Sequence, residues 1–353
     1  MQPRSPSPRR VTMTDVARAA GVSPMTVSYT YNRPDRVSAD SRAKVLEAAA
    51  ALGYSGPDPS ARSLRYGETR MLGVVLGEHL TYAFDDPQAV AFMAGIAEVC
   101  AERDYGLLIV PTGTGDEDRD RVVRAAVDAY VVWTTTADDP VLDAACGTRR
   151  PVVIHGGPDR EGTTLVGIDN RAAARAVARE VFATARRPGV LSFPIDRHRE
   201  TFLRPGLEPA SVAYPVTRER LAGYRDAALE LGLDWTRLPV AVCRTNDEGE
   251  ARTIMGQLLA VIPDVDAIAA MSDQLALGAS RGTTGRLRVS GWDDSYVARD
   301  HQFTTVAQSL REQGAACAAA ALGDPVANHR DAWRLVRRAS TGAQPSPSKP
   351  ISQ

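Results

Sequence analysis

The chain has 353 residues, 44% hydrophobic and 24% charged, with a formal net charge of −1. That length calls for two or three folding units, and no apolar run approaches the roughly 20 residues of a membrane span. The four cysteines (Cys100, Cys146, Cys243, Cys317) are far apart and make no CxxC pair, so metal and dithiol motifs are absent. The near-neutral total conceals an asymmetry. Residues 1–70 hold eleven basic and six acidic side chains, a balance of +5, against −6 over the rest. A small basic unit on a larger acidic one suits a polyanion-binding head on a body that does not itself bind polyanion.

Residues 1–10 are basic and rich in proline and serine, without the apolar core of a signal peptide. A disordered start and a reducing cytoplasm are expected. Two short helices then follow across 12–32. Thr12 is a candidate N-cap, with Asp15 completing a capping box, and Val16, Ala17 and Ala20 share one face. Gly21 supplies the turn, Ser23 caps the second helix and Pro24 takes its first position. Val22 and Val27 point inward, leaving Pro24, Met25, Ser28 and Tyr29 outward, as a helix-turn-helix requires to enter a major groove. An ordinary helical hairpin in a core is the plainer alternative. Ser38 caps a third helix to about Leu52, with Val45, Leu46, Ala49 and Leu52 as its apolar face and Gly53 as its stop.

Residues 57–70 open on a Gly-Pro-Asp-Pro break, and Arg62 and Arg65 flank Leu64. The segment is too short for a stable isolated helix. It reads either as a flexible linker or as a hinge that orders on DNA, with Leu64 wedging into a minor-groove step.

Residues 11–67 resemble the headpiece and hinge of the LacI/GalR family of bacterial transcription regulators. The resemblance rests on Val11-Thr-Met-Thr-Asp-Val-Ala, Ala20-Gly-Val-Ser, Thr26-Val-Ser28, Asn32, Val37-Ser38, Arg42-Ala-Lys-Val45, Leu52-Gly-Tyr54 and Ala61-Arg-Ser-Leu64. It implies that Pro24, Met25 and Tyr29 read base edges and that Leu64 intercalates. Thr12, Ser23, Thr26, Ser28 and Asn32 match positions that hold phosphates, and Arg36, Ser38 and Arg62 complete the expected DNA-contacting set. Two departures stand out. Tyr29 replaces the usual arginine, removing a bidentate contact to guanine, and Asp58 replaces the usual asparagine near phosphates.

From Met71 the pattern changes to strands alternating with helices. Strand-like runs cover 72–76, 106–110, 129–133, 152–154, 189–193, 240–242, 267–270 and 287–290, with helical stretches such as 89–102, 171–184, 221–231 and 248–259 between them. Alternation of this kind implies parallel sheets covered by helices. So many units favour two lobes with a cleft, and ligands in such sheets bind at the carboxyl ends of strands.

The body also resembles that family, whose effector domain shares the two-lobed fold of periplasmic sugar-binding proteins. Gly167-Ile-Asp-Asn170, Arg218-Glu-Arg-Leu-Ala-Gly-Tyr224, Ser272-Asp-Gln-Leu-Ala-Leu-Gly278, Gly291-Trp-Asp-Asp294, Thr304-Thr-Val-Ala-Gln308 and a closing strand at 334–340 carry it. The expected fold is thus multi-domain. A small all-α helix-turn-helix headpiece (11–56) and a hinge (57–70) precede an α/β two-lobed, periplasmic-binding-protein-like type I effector domain (71–340). Lobe crossings are expected near 170, 306 and 325, with a disordered tail at 341–353.

Chemically, Asp169, Asp273 and Asp293 follow strands and can accept hydrogen bonds from sugar hydroxyls. Arg218 or Arg220, at a helix start, can donate a bidentate pair. Trp292 either stacks on a sugar face or belongs to the core. The resemblance favours Asp293, Asp273 and one of the two arginines as ligands, and adds Gln308. The segment at 279–286 is shorter than the family's usual helix and loop, and 194–214 reads as a long irregular loop beside the cleft. The tail has no leucine heptad for a tetramer.

The expected activity is therefore a sequence-specific transcription regulator, most readily a repressor, that needs no cofactor. It acts as a homodimer on a pseudo-palindromic double-stranded DNA operator, answers to a small-molecule effector such as a sugar, and has no membrane partner. A binding protein with a degenerate head is the alternative. An enzyme is disfavoured: there is no P-loop, no GxGxxG after a strand, and the five histidines (His79, His155, His198, His301, His329) are scattered.

Overall fold

A computed structural model of the chain describes residues 11–56, 67–77, 81–112, 117–283, 285, 287–325 and 329–342. The chain forms two compact units, Met1–Thr69 and Arg70–Gln353. The hinge residues Asp58, Arg62 and Leu64, and the tail beyond 342, lie outside the described residues.

In the first unit, α1 (Met13–Ala20) starts on a complete capping box: Thr12 Oγ1 accepts from Asp15 N at 3.4 Å, and Asp15 Oδ2 accepts from Thr12 N at 3.0 Å. Gly21, at φ 66°, turns the chain into α2 (Pro24–Asn32), which Ser23 caps by accepting from Thr26 N at 3.1 Å. A 3-10 turn at Pro34–Arg36 leads to α3 (Ala39–Leu52), capped by Ser38 and ended by Gly53. The core is small: Val16, Ala17, Val27, Val45 and Ala49 are buried, with Tyr31 and Tyr54 meeting edge to face at 6.0 Å beside them. Leu46 and Leu52 are exposed at 43% and 39%, contrary to the apolar face read from the sequence. The two inner helices are too short to cover a wider stripe, so α3 buries only the Val45/Ala49 line.

The second unit contains two sheets. The first has the order β2-β1-β3-β4-β5: Gly106–Val110, Met71–Leu76, Ala129–Trp133, Val152–His155 and Thr164–Val166, all parallel. The second has the order β12-β11-β10-β9-β6-β8-β7: Trp333–Val336, Thr304–Gln308, Arg288–Asp293, Ala267–Ala270, Pro188–Ser192, Pro239–Val242 and Phe202–Pro205. Its inner strands are parallel, while both edge strands, β7 and β12, run antiparallel to their neighbours. Strand β7 corrects the reading of 194–214 as wholly irregular. An edge strand hydrogen-bonds on one side only, so it tolerates the arginine and proline that hide it.

The chain crosses between lobes after β5, between β11 and the helix at Leu310–Ala321, and again before β12. On the first lobe, the helix at Pro87–Glu102 packs against that at Leu310–Ala321 at backbone contact. A Cβ at Gly95 would stand 1.9 Å from the Arg311 carbonyl oxygen, and one at Gly314 would stand 2.1 Å from that of Phe92. Only glycine allows so close a crossing. Separate apolar cores lie under each lobe, the larger under the second sheet. Cys100, Cys243 and Cys317 are buried and Cys146 partly so; burial pushes the Cys243 thiol up to about 12.

Candidate functional site

The head presents a recessed surface along α2. Met13, Pro24, Met25, Ser28, Tyr29, Asn32 and Arg33 line a shallow depression along α2, and Met25 is 59% exposed. Thr12, Ser23 and Ser38 stand at three helix N-termini, where unpaired backbone N–H groups and the helix dipole favour phosphate. Thr26 Oγ1 lies 2.9 Å from Ser23 Oγ, and Asn32 Nδ2 donates to the Ser28 carbonyl at 3.0 Å, fixing both polar side chains on the exposed face. Arg36 is exposed in the 3-10 turn. Ten of the twelve expected DNA contacts are therefore described. Pro24, Met25, Ser28, Tyr29 and Asn32 line this depression, Thr12, Ser23 and Ser38 cap the three helices, Thr26 lies in the first turn of α2 and Arg36 in the 3-10 turn.

In the body, a cleft between the two sheets, partly open to solvent, holds a cavity of about 120 Å³. It lies at the carboxyl ends of strands, as open α/β sheets dictate. Leu76 ends β1 and Gly77 follows it, Trp133 ends β3, His155 ends β4, Phe193 follows β6, Asp293 ends β10 and Gln308 ends β11. Its walls are aromatic and aliphatic and its floor is polar.

Arg220, 5% exposed, is locked into that floor from the helix Pro215–Glu230. Its Nε donates to Asn170 Oδ1 at 2.9 Å and its Nη1 to the Met271 carbonyl at 2.6 Å. The guanidinium lies 3.8 Å from the Trp292 ring centroid and 5.5 Å from that of Phe193. Asp293 faces it from a left-handed turn, φ 100°. Burial raises its carboxyl to about 7, against the opposing pull of Arg220. Gln308 Nε2 donates to Asp293 Oδ1 at 2.7 Å, Gln313 Nε2 to Gln308 Oε1 at 3.1 Å, and Gln313 Oε1 lies 2.8 Å from His155 Nε2. This line crosses from the second lobe to the first. Burial lowers His155 to about 4, so it is neutral, and its ring is packed between Phe92 and Trp133. A second bridge spans the lobes where Asn246 Nδ2 donates to Asp86 Oδ2 at 2.6 Å.

Of the seven ligand residues expected from sequence, Arg220, Asp293 and Gln308 line this cleft. The others are held elsewhere. Asp169 caps the helix Asn170–Phe182 through Ala172 N at 2.9 Å and pairs with Arg330, and with Arg218 it borders a separate depression. Asp273 accepts from Ser295 N at 2.8 Å and from Thr305 Oγ1 at 2.9 Å; burial raises it to about 6. It ties the Asp293 turn in place from behind. Trp292 is wholly buried beneath Arg220, which settles its side chain into the core. Sequence reasoning missed His155, Gln313, Asn246 and Asn170. His155 and Asn246 follow strands, a signal open to the same rule that found Asp293, whereas nothing local marks Gln313.

Among the described residues no group of three or more His, Cys, Asp or Glu is placed to hold a metal, and no helix is long and apolar enough to cross a membrane. The letters Gly278-Ala-Ser-Arg-Gly282 fit a GxSxG pattern, but they close a helix (Asp273–Arg281) rather than a strand-to-helix elbow.

Comparison with known proteins fits this division. The family described as bacterial regulatory proteins, lacI family, matches residues 12–56, and that described as periplasmic binding proteins and sugar binding domain of LacI family matches 69–317. An HTH-type transcriptional regulator of Mycolicibacterium smegmatis is 38% identical over 332 residues, covering 88% of this chain and 90% of its own length. A solved complex of the transcriptional regulator CelR with cellobiose matches at TM-score 0.63 and 26% identity, over 94% of this chain and 100% of that one. The fold also matches a lac repressor dimer bound to operator, at TM-score 0.72 and 21% identity, over 95% and 100% of the two chains. With a capped helix-turn-helix head, a two-lobed α/β body and these matches along most of its length, the chain belongs to the LacI family and is a helix-turn-helix transcriptional regulator rather than an enzyme.

Proposed function

We propose that this regulator is a repressor that acts as a two-fold homodimer in the cytoplasm, on a pseudo-palindromic DNA operator, and is controlled by a sugar bound between its lobes. The observation that carries the effector reading is the cleft: Arg220, Asp293 and Gln308 converge on its floor while Phe193, Trp133 and Tyr214 line its walls. Polar groups that fix hydroxyls, set among rings that cover apolar sugar faces, suit a carbohydrate. The cellobiose complex of CelR supports the same class. On DNA, the ten described head residues and the hinge pair Arg62 and Leu64 would make the contacts, with Pro24, Met25 and Tyr29 toward bases. Met25 and Tyr29 offer little bidentate hydrogen bonding, so half-sites are read through methyl contacts and shape.

A binding protein with a degenerate head is the second reading, and the fully formed capping box and helix caps speak against it. The test is fluorescence anisotropy on DNA from upstream of the protein's own gene, with and without a panel of neutral sugars. Specific binding altered by one sugar is expected, with a coupling of ~1–3 kcal/mol. Binding indifferent to sequence at every salt concentration would refute the operator reading.

A further inference from the structure

The line of hydrogen bonds from Asp293 to His155 has a direction, and that direction determines what the cleft offers a ligand. Above about pH 7 Asp293 is ionised and only accepts, so there the Gln308 amide turns its NH2 to Asp293 and its oxygen to Gln313. Gln313 then donates to Gln308 and is left with only its oxygen for His155. His155 Nε2 must therefore carry the proton. A neutral imidazole has one donor and one acceptor, so Nδ1 is a bare lone pair. Nδ1 is buried and has no partner, on a residue that is 7% exposed and lines the cleft. A buried acceptor left unpaired is costly until a donor reaches it. Packing against Phe92, at 4.8 Å between centroids, resists turning the ring over.

We propose that Gln308 and Gln313 are positioning residues that set His155 in its Nε2-protonated form across the two lobes, so that the cleft selects a neutral effector donating a hydroxyl to His155 Nδ1. This rests on the effector reading above and narrows it. A phosphate or carboxylate oxygen at that place would meet the bare acceptor of His155 with no donor to offer it. The Nε and Nη1 groups of Arg220 are already committed to Asn170 and Met271. Part of the donor capacity of the floor is thus already used within the protein. The groups facing His155 electrostatically are Arg220 and His329, both of which disfavour its protonation.

The chain has five histidines, so nitrogen-15 spectra of the full-length, histidine-labelled protein can be assigned by the signal lost in His155→Phe. In slightly alkaline solution without ligand, His155 is expected with Nε2 protonated and Nδ1 bare; a protonated Nδ1 would overturn the proposal. Gln313→Leu, if its melting transition shows it folded, should give mixed tautomers, and retention of the wild-type pattern would overturn the role of the relay. Should that variant not fold, Gln308→Met breaks the same line one step earlier and is read the same way. Calorimetry with cellobiose, glucose, glucose phosphate and glucuronate supplies the second arm. A neutral sugar is expected to bind about tenfold or more tightly than its anionic counterpart and to lose about tenfold on His155→Phe. Equal binding of sugar and phosphate ester would overturn the selection. Binding of none of them would refute the sugar reading instead, and the spectrum alone would then decide the relay.

Discussion

At Asp293 three influences compete: burial raises its carboxyl, the Arg220 guanidinium and the Gln308 amide lower it, and Asp273 and Asp86 raise it further, leaving it near 7. Its folded value lies above its unfolded one, so its contribution to stability is complete below about 4 and is lost as pH rises through about 7. Asp293→Asn keeps an oxygen for Gln308 and never ionises. Its melting temperature should therefore gain on wild type by several degrees between mildly acidic and mildly alkaline solution. A difference that stays constant with pH would show that Asp293 does not ionise at the cost its burial implies. The same single-residue reasoning applies on the head. Tyr29→Arg restores a planar donor fork in the α2 depression, so selection from a random operator library should shift toward guanine, and an unchanged operator would refute Tyr29 as a reader. Both residues were legible in sequence, one following a strand and one on the outer face of a capped helix. Gln313 was not, because its partners His155 and Gln308 lie on different lobes and meet only after the chain has crossed between them.

Elements were most legible where local chemistry decides them. The strands at 106–110, 129–133 and 267–270 and the caps Thr12, Ser23 and Ser38 follow from the sequence with their observed bounds. Elements whose identity depends on neighbours were not: β7 exists because β8 lies beside it, and Leu46 is exposed because α1 and α2 are too short to reach it. The head depends on few contacts, so each matters. Ser23→Ala should cost it about 1 kcal/mol through the lost cap, and Val27→Ala about 2 kcal/mol through the emptied core, both read by thermal unfolding followed in the helix signal. Gly95→Ala in the first lobe is a harsher change. The methyl would strike the Arg311 carbonyl, and the two helices must part by about an ångström or more, costing about 3 kcal/mol. Calorimetry should show the body's transition lowered, with binding of the head to DNA retained at low temperature.

Across the whole molecule, any coupling between operator and effector is reciprocal, each changing the other's affinity by the same factor. If a sugar weakens DNA binding, saturating operator must weaken sugar binding equally, and calorimetry with and without DNA checks this. The cleft itself offers the means: Asn246 to Asp86 and Gln313 to Gln308 are bonds made between lobes, and any rotation of one lobe against the other alters both. Asp86 Oδ1 also caps the helix Pro87–Glu102 by accepting from Gln88 N and Ala89 N at 2.8 and 2.9 Å. Interlobe contact and the start of that helix thus share a single carboxylate.

The interleaved threading of the lobes bears on synthesis as well. Five strands of the first lobe are made before residue 167, yet the helix that seals one face of that sheet, Leu310–Ala321, is translated only after most of the second lobe. The lobe that begins first is therefore closed only late, shortly before β12 completes the second. A ribosome-bound chain passes through a stage in which Phe92, Ile96 and their neighbours lack their cover, and that nascent intermediate is where chaperones and proteases gain their access.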